Sequence, residues 1–86
     1  MKTISVGTLE SSDCLITLKS AQTLSIDIDS VVHEAFYDHI KAVVEKTLAQ
    51  YNIEKIQVIV QDKGALDYTI IARLKSAIER WREAHG

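Results

Sequence analysis

The chain has no proline, three glycines, one cysteine, one tryptophan and one phenylalanine among its 86 residues. Without proline there is no polyproline linker, and no repeat at solenoid periods divides the chain. A lone cysteine, Cys14, excludes an internal disulfide and the paired thiolates of a zinc ribbon or knuckle. Nor does any run approach the ~18 apolar residues of a membrane span, and residues 1–7 lack the apolar core of a signal peptide, so a cytoplasmic protein is expected. There is little excess charge either. Ten Lys and Arg against twelve Asp and Glu leave a net charge of −2, which gives a nucleic acid no electrostatic footprint.

What is present is ordinary globular composition, 47% hydrophobic and 26% charged, in one domain spanning residues 1–86. A chain of this size buries roughly 60 to 65% of the surface its unfolded form exposes, so most apolar residues are committed to the core and a deep pocket is not expected.

Periodicity supplies the elements. In residues 23–29, Leu24, Ile26 and Ile28 alternate with polar residues, the pattern of a strand with one wet face. Residues 14–19 place Cys14, Ile16 and Leu18 on one face, and Ser20-Ala21-Gln22 is short enough to close a hairpin, which predicts antiparallel pairing of these two strands. A third strand, residues 56–62, sends Ile56, Val58 and Val60 one way and Gln57, Ile59 and Gln61 the other. Between the second and third strands, Val32, Phe36, Ile40, Val43, Val44 and Leu48 recur at helical steps, predicting a helix from near Val31 to Tyr51, capped by Asp29 or Ser30. If the strands it joins are parallel, this helix is a right-handed crossover. After Gly64, a stripe of Leu66, Ile70, Ile71, Leu74, Ala77, Ile78 and Trp81 predicts a second helix, with Arg73, Glu79, Arg80 and Glu83 on its opposite face. Strands with one polar face need cover on the other alone. The expected fold is therefore an α+β two-layer sandwich, β-β-α-β-α, with two helices on one face of a three-stranded sheet. Residues 1–13, rich in turn formers from Gly7 onward, are expected to be an exposed loop.

The motifs of self-contained catalysis fail one by one. His33-Glu34 is followed by Tyr37 where a zinc-binding HExxH helix needs its second histidine, and His33 and His39 are six apart, so no single helix face aims both at a metal. Glu10-Ser11-Ser12-Asp13 lacks the glycines of a nucleophile elbow. Gly7 and Gly64 stand alone, without a phosphate-cradling glycine loop. Cys14, beside Asp13 in a strand pattern, reads as a small buried hydrophobe. On physical grounds Asp62-Lys63-Gly64-Ala65-Leu66-Asp67 and Gly7-Thr8-Leu9-Glu10-Ser11-Ser12-Asp13 are a turn with a helix cap and a polar approach to a strand.

Taken together and in this order, those two motifs resemble the acyl carrier proteins of citrate lyase, its gamma chains. The resemblance extends over essentially the whole chain, including the alternating Ile and Asp strand, Tyr51-Asn52 at the end of the long helix, and Ile71-Ala72-Arg73-Leu74. It implies a non-catalytic subunit. In that family the serine of a Gly-Thr-Leu-Glu-Ser-x-Asp stretch carries phosphoribosyl dephospho-coenzyme A through a phosphodiester, which falls on Ser11. Members often have glycine before the aspartate; Ser12 stands there in this chain and offers a competing hydroxyl. The implied partners are a prosthetic-group transferase, an alpha chain that exchanges acetate for citrate on the arm, and a beta chain that cleaves the citryl thioester to oxaloacetate. The small carrier subunit of malonate decarboxylase is the alternative with the same chemistry, and an unmodified protein-interaction module is the alternative of a different class.

Overall fold

The computed structural model describes residues 3–85. Four strands, β1 (Ile4–Gly7), β2 (Cys14–Ser20), β3 (Ser25–Ser30) and β4 (Ile56–Asp62), form one sheet in the order β1-β2-β4-β3. Two helices, α1 (Tyr37–Gln50) and α2 (Asp67–His85), accompany it. The α+β class is as the periodicity predicts, and the sheet has four strands rather than three.

The fourth is β1, in the stretch read as exposed loop. It pairs antiparallel with β2, Ile4 opposite Leu18 and Val6 opposite Ile16, and Val6 is buried. Two alternating apolar residues suffice for an edge strand of four residues, because β2 supplies the register and α2 the cover. Residues 1–2 lie outside the described residues.

The second correction concerns order. Residues 14–19 and 23–29 do not pair as a hairpin. Strand β4 lies between them, antiparallel to β2 and parallel to β3. A central strand has both backbone edges paired and one face sealed, and Ile56-Gln57-Val58-Ile59-Val60 suits it better than Ser25-Ile26-Asp27-Ile28-Asp29. The two aspartates stand on an edge strand, where charge discourages pairing with another chain.

Register lines the core into rows. Val6, Ile16, Val60 and Ile28 form one, and Ile4, Leu18, Val58 and Ile26 the next. Over them α2 packs Ile70, Leu74, Ala77 and Ile78, and α1 packs Ile40, Val44 and Leu48. Helix α2 lies on β1 and β2, and α1 on the β3 side. The opposite face carries polar pairs, among them Ser5 with Thr17 at 3.1 Å and Gln57 donating to Asp27 at 3.0 Å.

The first helix begins later than its stripe predicts. A short 3₁₀ turn, Glu34–Phe36, precedes it, and Phe36 is 56% exposed. Ser30 explains the delay: its hydroxyl donates to Asp62 (2.6 Å) and accepts from the Val32 amide (3.1 Å), fixing a turn where a helix cap was expected. The α1 C-terminus is closed by Asn52 at φ 55°, with the Ile53 amide reaching Leu48 O and the Asn52 amide Ala49 O, a Schellman closure that returns Ile53 to the core. Trp81 is partly buried at the rim of the core, stacked on His85 with ring centroids 3.7 Å apart.

Candidate functional site

Strand β2 begins and β4 ends at the same edge of the core, and both helices start there. Three connections meet at this end: residues 8–13, residues 31–36 and residues 63–66. The first and last contain the two motifs singled out in the sequence, and main-chain bonds join them. The Ser12 amide donates to Lys63 O (2.8 Å), and the Lys63 amide donates to Asp13 O (2.9 Å).

Residues 8–13 leave β1 at Gly7, whose φ of 110° is strained for any L side chain, and whose missing Cβ would collide with the carbonyl of Cys14. Thr8 donates its amide to that carbonyl (3.2 Å). The connection then turns, the Asp13 amide closing on Glu10 O at 3.1 Å. Ser12, at the third position of this turn, has φ 66°. Glycine reaches that left-handed region without penalty, so the frequent glycine of the resembling family has a backbone reason here, and Ser12 accepts a modest strain.

Asp13 is the hub. Its Oδ1 accepts from the Cys14 amide (2.7 Å) and Arg73 Nε (3.0 Å), and its Oδ2 from the Thr8 hydroxyl (2.7 Å) and Arg73 Nη2 (3.0 Å). Four donors fill the four acceptor positions of a carboxylate. The bidentate bond from Arg73 chiefly, then those from Thr8 and the Cys14 amide, hold the carboxyl far below the usual aspartate range. An aspartate so saturated has no lone pair left to take a proton from a neighbouring hydroxyl. Its role is to fasten the serine-bearing turn to α2.

Asp62 does the same for the other two connections. Only 1% exposed, it accepts from Ser30 Oγ (2.6 Å) and the Ala65 amide (2.9 Å), and its carbonyl accepts from the Val31 amide (3.2 Å). Gly64, at φ 91° with open space about it, completes the turn into α2.

Amid this bonding the Ser11 side chain is exposed, and among the described residues its hydroxyl has no hydrogen-bond partner. Ser12 Oγ is likewise exposed and unpartnered among the described residues, so the turn presents two free alcohols on a fixed backbone. Cys14, immediately behind, is fully buried; burial first, then the charges of Asp13 and Asp62, push its thiol up to about 11. It belongs to the core, as its strand position predicts. His33 and His39 are exposed, His33 Nδ1 accepting from the Ala35 amide and His39 Nε2 lying 2.7 Å from Asp67. Among the described residues no cluster of three metal-ligating side chains occurs, and no helix is long and apolar enough to cross a membrane.

Sequence reasoning missed the roles of Arg73 and Thr8, although both stand in segments that carry the resemblance. Arg73 falls on the face of α2 opposite the apolar stripe, where a solvated cation is the default, and its partner lies 60 residues away. Thr8 had a faint local signal, a hydroxyl two residues before an amide it accepts from (Glu10 N, 3.1 Å).

A family profile described as ACP, malonate decarboxylase delta subunit (MdcD), matches residues 1–81. The chain is similar to the citrate lyase acyl carrier protein of Haemophilus ducreyi, 44% identical over 92% of this chain and 83% of the relative. It is also similar to that of Fusobacterium nucleatum, 43% identical over 99% of this chain and 94% of the relative. In fold it resembles a chain from the crystal structure of a Pseudomonas malonate decarboxylase hetero-tetramer in complex with malonate, with a TM-score of 0.77 at 21% identity, covering 93% of this chain and 98% of that one. With relatives this similar along nearly its whole length, the chain belongs to the citrate lyase acyl carrier protein family.

Proposed function

We propose that the chain is the acyl carrier subunit of citrate lyase and that Ser11 is where its prosthetic arm, phosphoribosyl dephospho-coenzyme A, is joined through a phosphodiester. The observation that carries the assignment is that the backbone on either side of Ser11 is bonded, through Glu10 and Ser12, while its hydroxyl is exposed and free; the Ser12 hydroxyl is equally exposed and free, and the choice of Ser11 between the two rests on its place in the motif. The residues present fit such a group, because an exposed alcohol on a surface turn can bear a large substituent without disturbing the core. When bound, the arm supplies a thiol on which acyl groups are held as thioesters.

The chain's own part is positional. Asp13, Arg73 and the Lys63 main chain hold the attachment point still. With Asp13 saturated, the base that activates Ser11 comes from the transferase. Turnover belongs to the alpha and beta chains, which see a tethered acyl group at an effective concentration on the order of mM. This reading places the protein in the cytoplasm, beside those partners. The carrier of malonate decarboxylase is the second reading, favoured by the description of the matching profile and by the shared fold.

Peptide mass mapping after co-expression with the transferase tests the assignment. Ser11→Ala abolishes loading and leaves the fold intact, whereas Ser12→Ala is still loaded; the reverse result overturns the choice of serine. Oxaloacetate formation by purified alpha and beta chains, with loaded, unloaded or omitted carrier, tests the carrier role. Equal rates with loaded and unloaded chain are incompatible with it, and a loaded chain accepted by malonate decarboxylase subunits alone favours the second reading.

A further inference from the structure

Among the described residues, seven large apolar side chains are exposed, and six of them, Leu9, Val31, Phe36, Tyr37, Leu66 and Tyr68, lie at the Ser11 end. The seventh, Leu24, is at the far end, beside Asn52 and Ile53. Scattered exposed apolar residues need no explanation, but concentration of nearly all of them at one end does.

The six come from the three connections that Asp13, Asp62 and Lys63 bind together, and from the first residues of the helices that follow. Phe36 lines one recess with Val32, Ala65 and Asp67, so the second and third connections share it. Around this apolar set stand the exposed carboxylates Glu10, Asp29, Glu34 and Asp38. The cations there are fewer: Arg73 is held by Asp13, His39 faces Asp67, and Lys63, beside Ser12, is the lysine of the three connections, against four exposed carboxylates.

We infer that this collar is a docking surface, and that its occupant is the mouth of an enzyme subunit's active site, apolar at its centre and lined with Lys and Arg at its rim. The inference rests on Ser11 as the attachment point. An arm fixed there is delivered through whatever surface surrounds Ser11, so the collar is continuous with the path of the cargo. The acidic rim selects the charge of the partner, and removal of the apolar residues from water supplies the affinity.

The test compares Leu9→Ser, Phe36→Ser and Leu66→Ser with Leu24→Ser, the same kind of change at the opposite end. Denaturation midpoints confirm folding, and mass mapping of the Ser11 peptide confirms loading. With fully loaded chains and purified alpha and beta chains, the collar variants raise the KM for carrier by on the order of tenfold at little changed kcat, and Leu24→Ser does not. Direct titration of unloaded chains onto the same subunits shows the same loss, and wild-type binding weakens as salt is raised. Unchanged KM and binding in all three collar variants overturn the inference, as does an equal effect of Leu24→Ser. Slower loading with unchanged KM also overturns it, by assigning the collar to the transferase. Because the titration uses unloaded chain, it gives its answer even if Ser11 proves not to be modified. A failure of the attachment reading is seen separately, in the mass map.

Discussion

The two ends of the molecule solve different problems with connections of similar length. At one end, residues 8–13 join β1 to β2 under main-chain and side-chain bonds that reach Lys63 and Arg73. At the other, residues 21–24 carry the chain from β2 past β4 to β3, and among the described residues they make no hydrogen bond outside the regular ladders. The far end is closed instead by side-chain packing: Trp81 on His85, and Arg82 both over the Tyr51 ring, 5.0 Å from its centroid, and donating to the Tyr51 carbonyl. A fold of this size does not require every connection to be fixed, since residues 21–24 manage without it. Order at the Ser11 end is an additional specification, and it fixes the backbone that presents the exposed hydroxyls of Ser11 and Ser12.

The largest way to break the difference is at Gly7. Gly7→Ala forces a Cβ into the Cys14 carbonyl and a side chain into φ 110°, and is expected to cost about 3 kcal/mol or more. Ala21→Ser and Gln22→Ala, in the unbonded connection, are expected to stay within about 0.5 kcal/mol. Urea denaturation measures both; equal effects at the two ends would show that the bonded turn has no special backbone demand.

Acid separates the ends next. Folding holds the Asp13 carboxyl far below its unfolded value of about 3.9, so the stability this contributes is complete above about pH 5 and drains away as pH falls from there. Arg73→Gln and Asp13→Asn are expected to flatten the dependence of the denaturation midpoint on pH between about 5 and 2. The sign matters: the wild type loses more than the variants on acidification. A wild-type midpoint that falls no faster than that of Asp13→Asn would mean that the bidentate pair is not formed in solution.

These two positions also mark what was legible in the sequence. Periods of two and 3.6 residues are local, so β2, β4, most of β3 and both helices could be read directly, as could the buried face containing Cys14. Strand order is not local. The short link after Ser20 points to a hairpin, and only the competition among strands for two paired edges puts β4 in the middle. Strand β1 offered too few alternating residues to stand out from a turn-rich stretch. At the candidate site, Ser11 is proposed from the resemblance and Gly7 was legible by its type, whereas the role of Arg73 was not, because helical periodicity assigns a polar-face arginine to water unless the distant Asp13 is known to face it.

At the far end the packing prediction is smaller. Trp81 is partly exposed, so Trp81→Ala is expected to cost about 1 to 2 kcal/mol, below the ~3 to 5 of a fully enclosed ring. Leu74→Ala, at a fully buried position, is expected to exceed it, at about 2 to 5 kcal/mol. Loading at Ser11 is unaffected by the tryptophan change, since no bond of the turn reaches that end. A Trp81→Ala chain that folds but loads poorly would show that the two ends are coupled.

The smallest effect is the sharpest test of the turn. Ser12→Gly removes a side chain from φ 66°, relieving roughly 1 kcal/mol of left-handed strain, but it also loosens the unfolded chain by a similar amount. The net shift in stability is expected to lie within about 0.5 kcal/mol of zero. The amide that donates to Lys63 O survives the change, so the turn keeps its anchor and Ser11 keeps its orientation. Loading should then proceed as in the wild type, because the only group lost is a hydroxyl that the proposed attachment at Ser11 does not use. Ser12→Val, in contrast, puts a β-branched side chain where the backbone least tolerates it, and should destabilise the turn and slow loading together. If Ser12→Gly retained the wild-type midpoint yet lost loading, the Ser12 hydroxyl itself would be required, and the division of labour between a strained Ser12 and a free Ser11 would be the wrong way round.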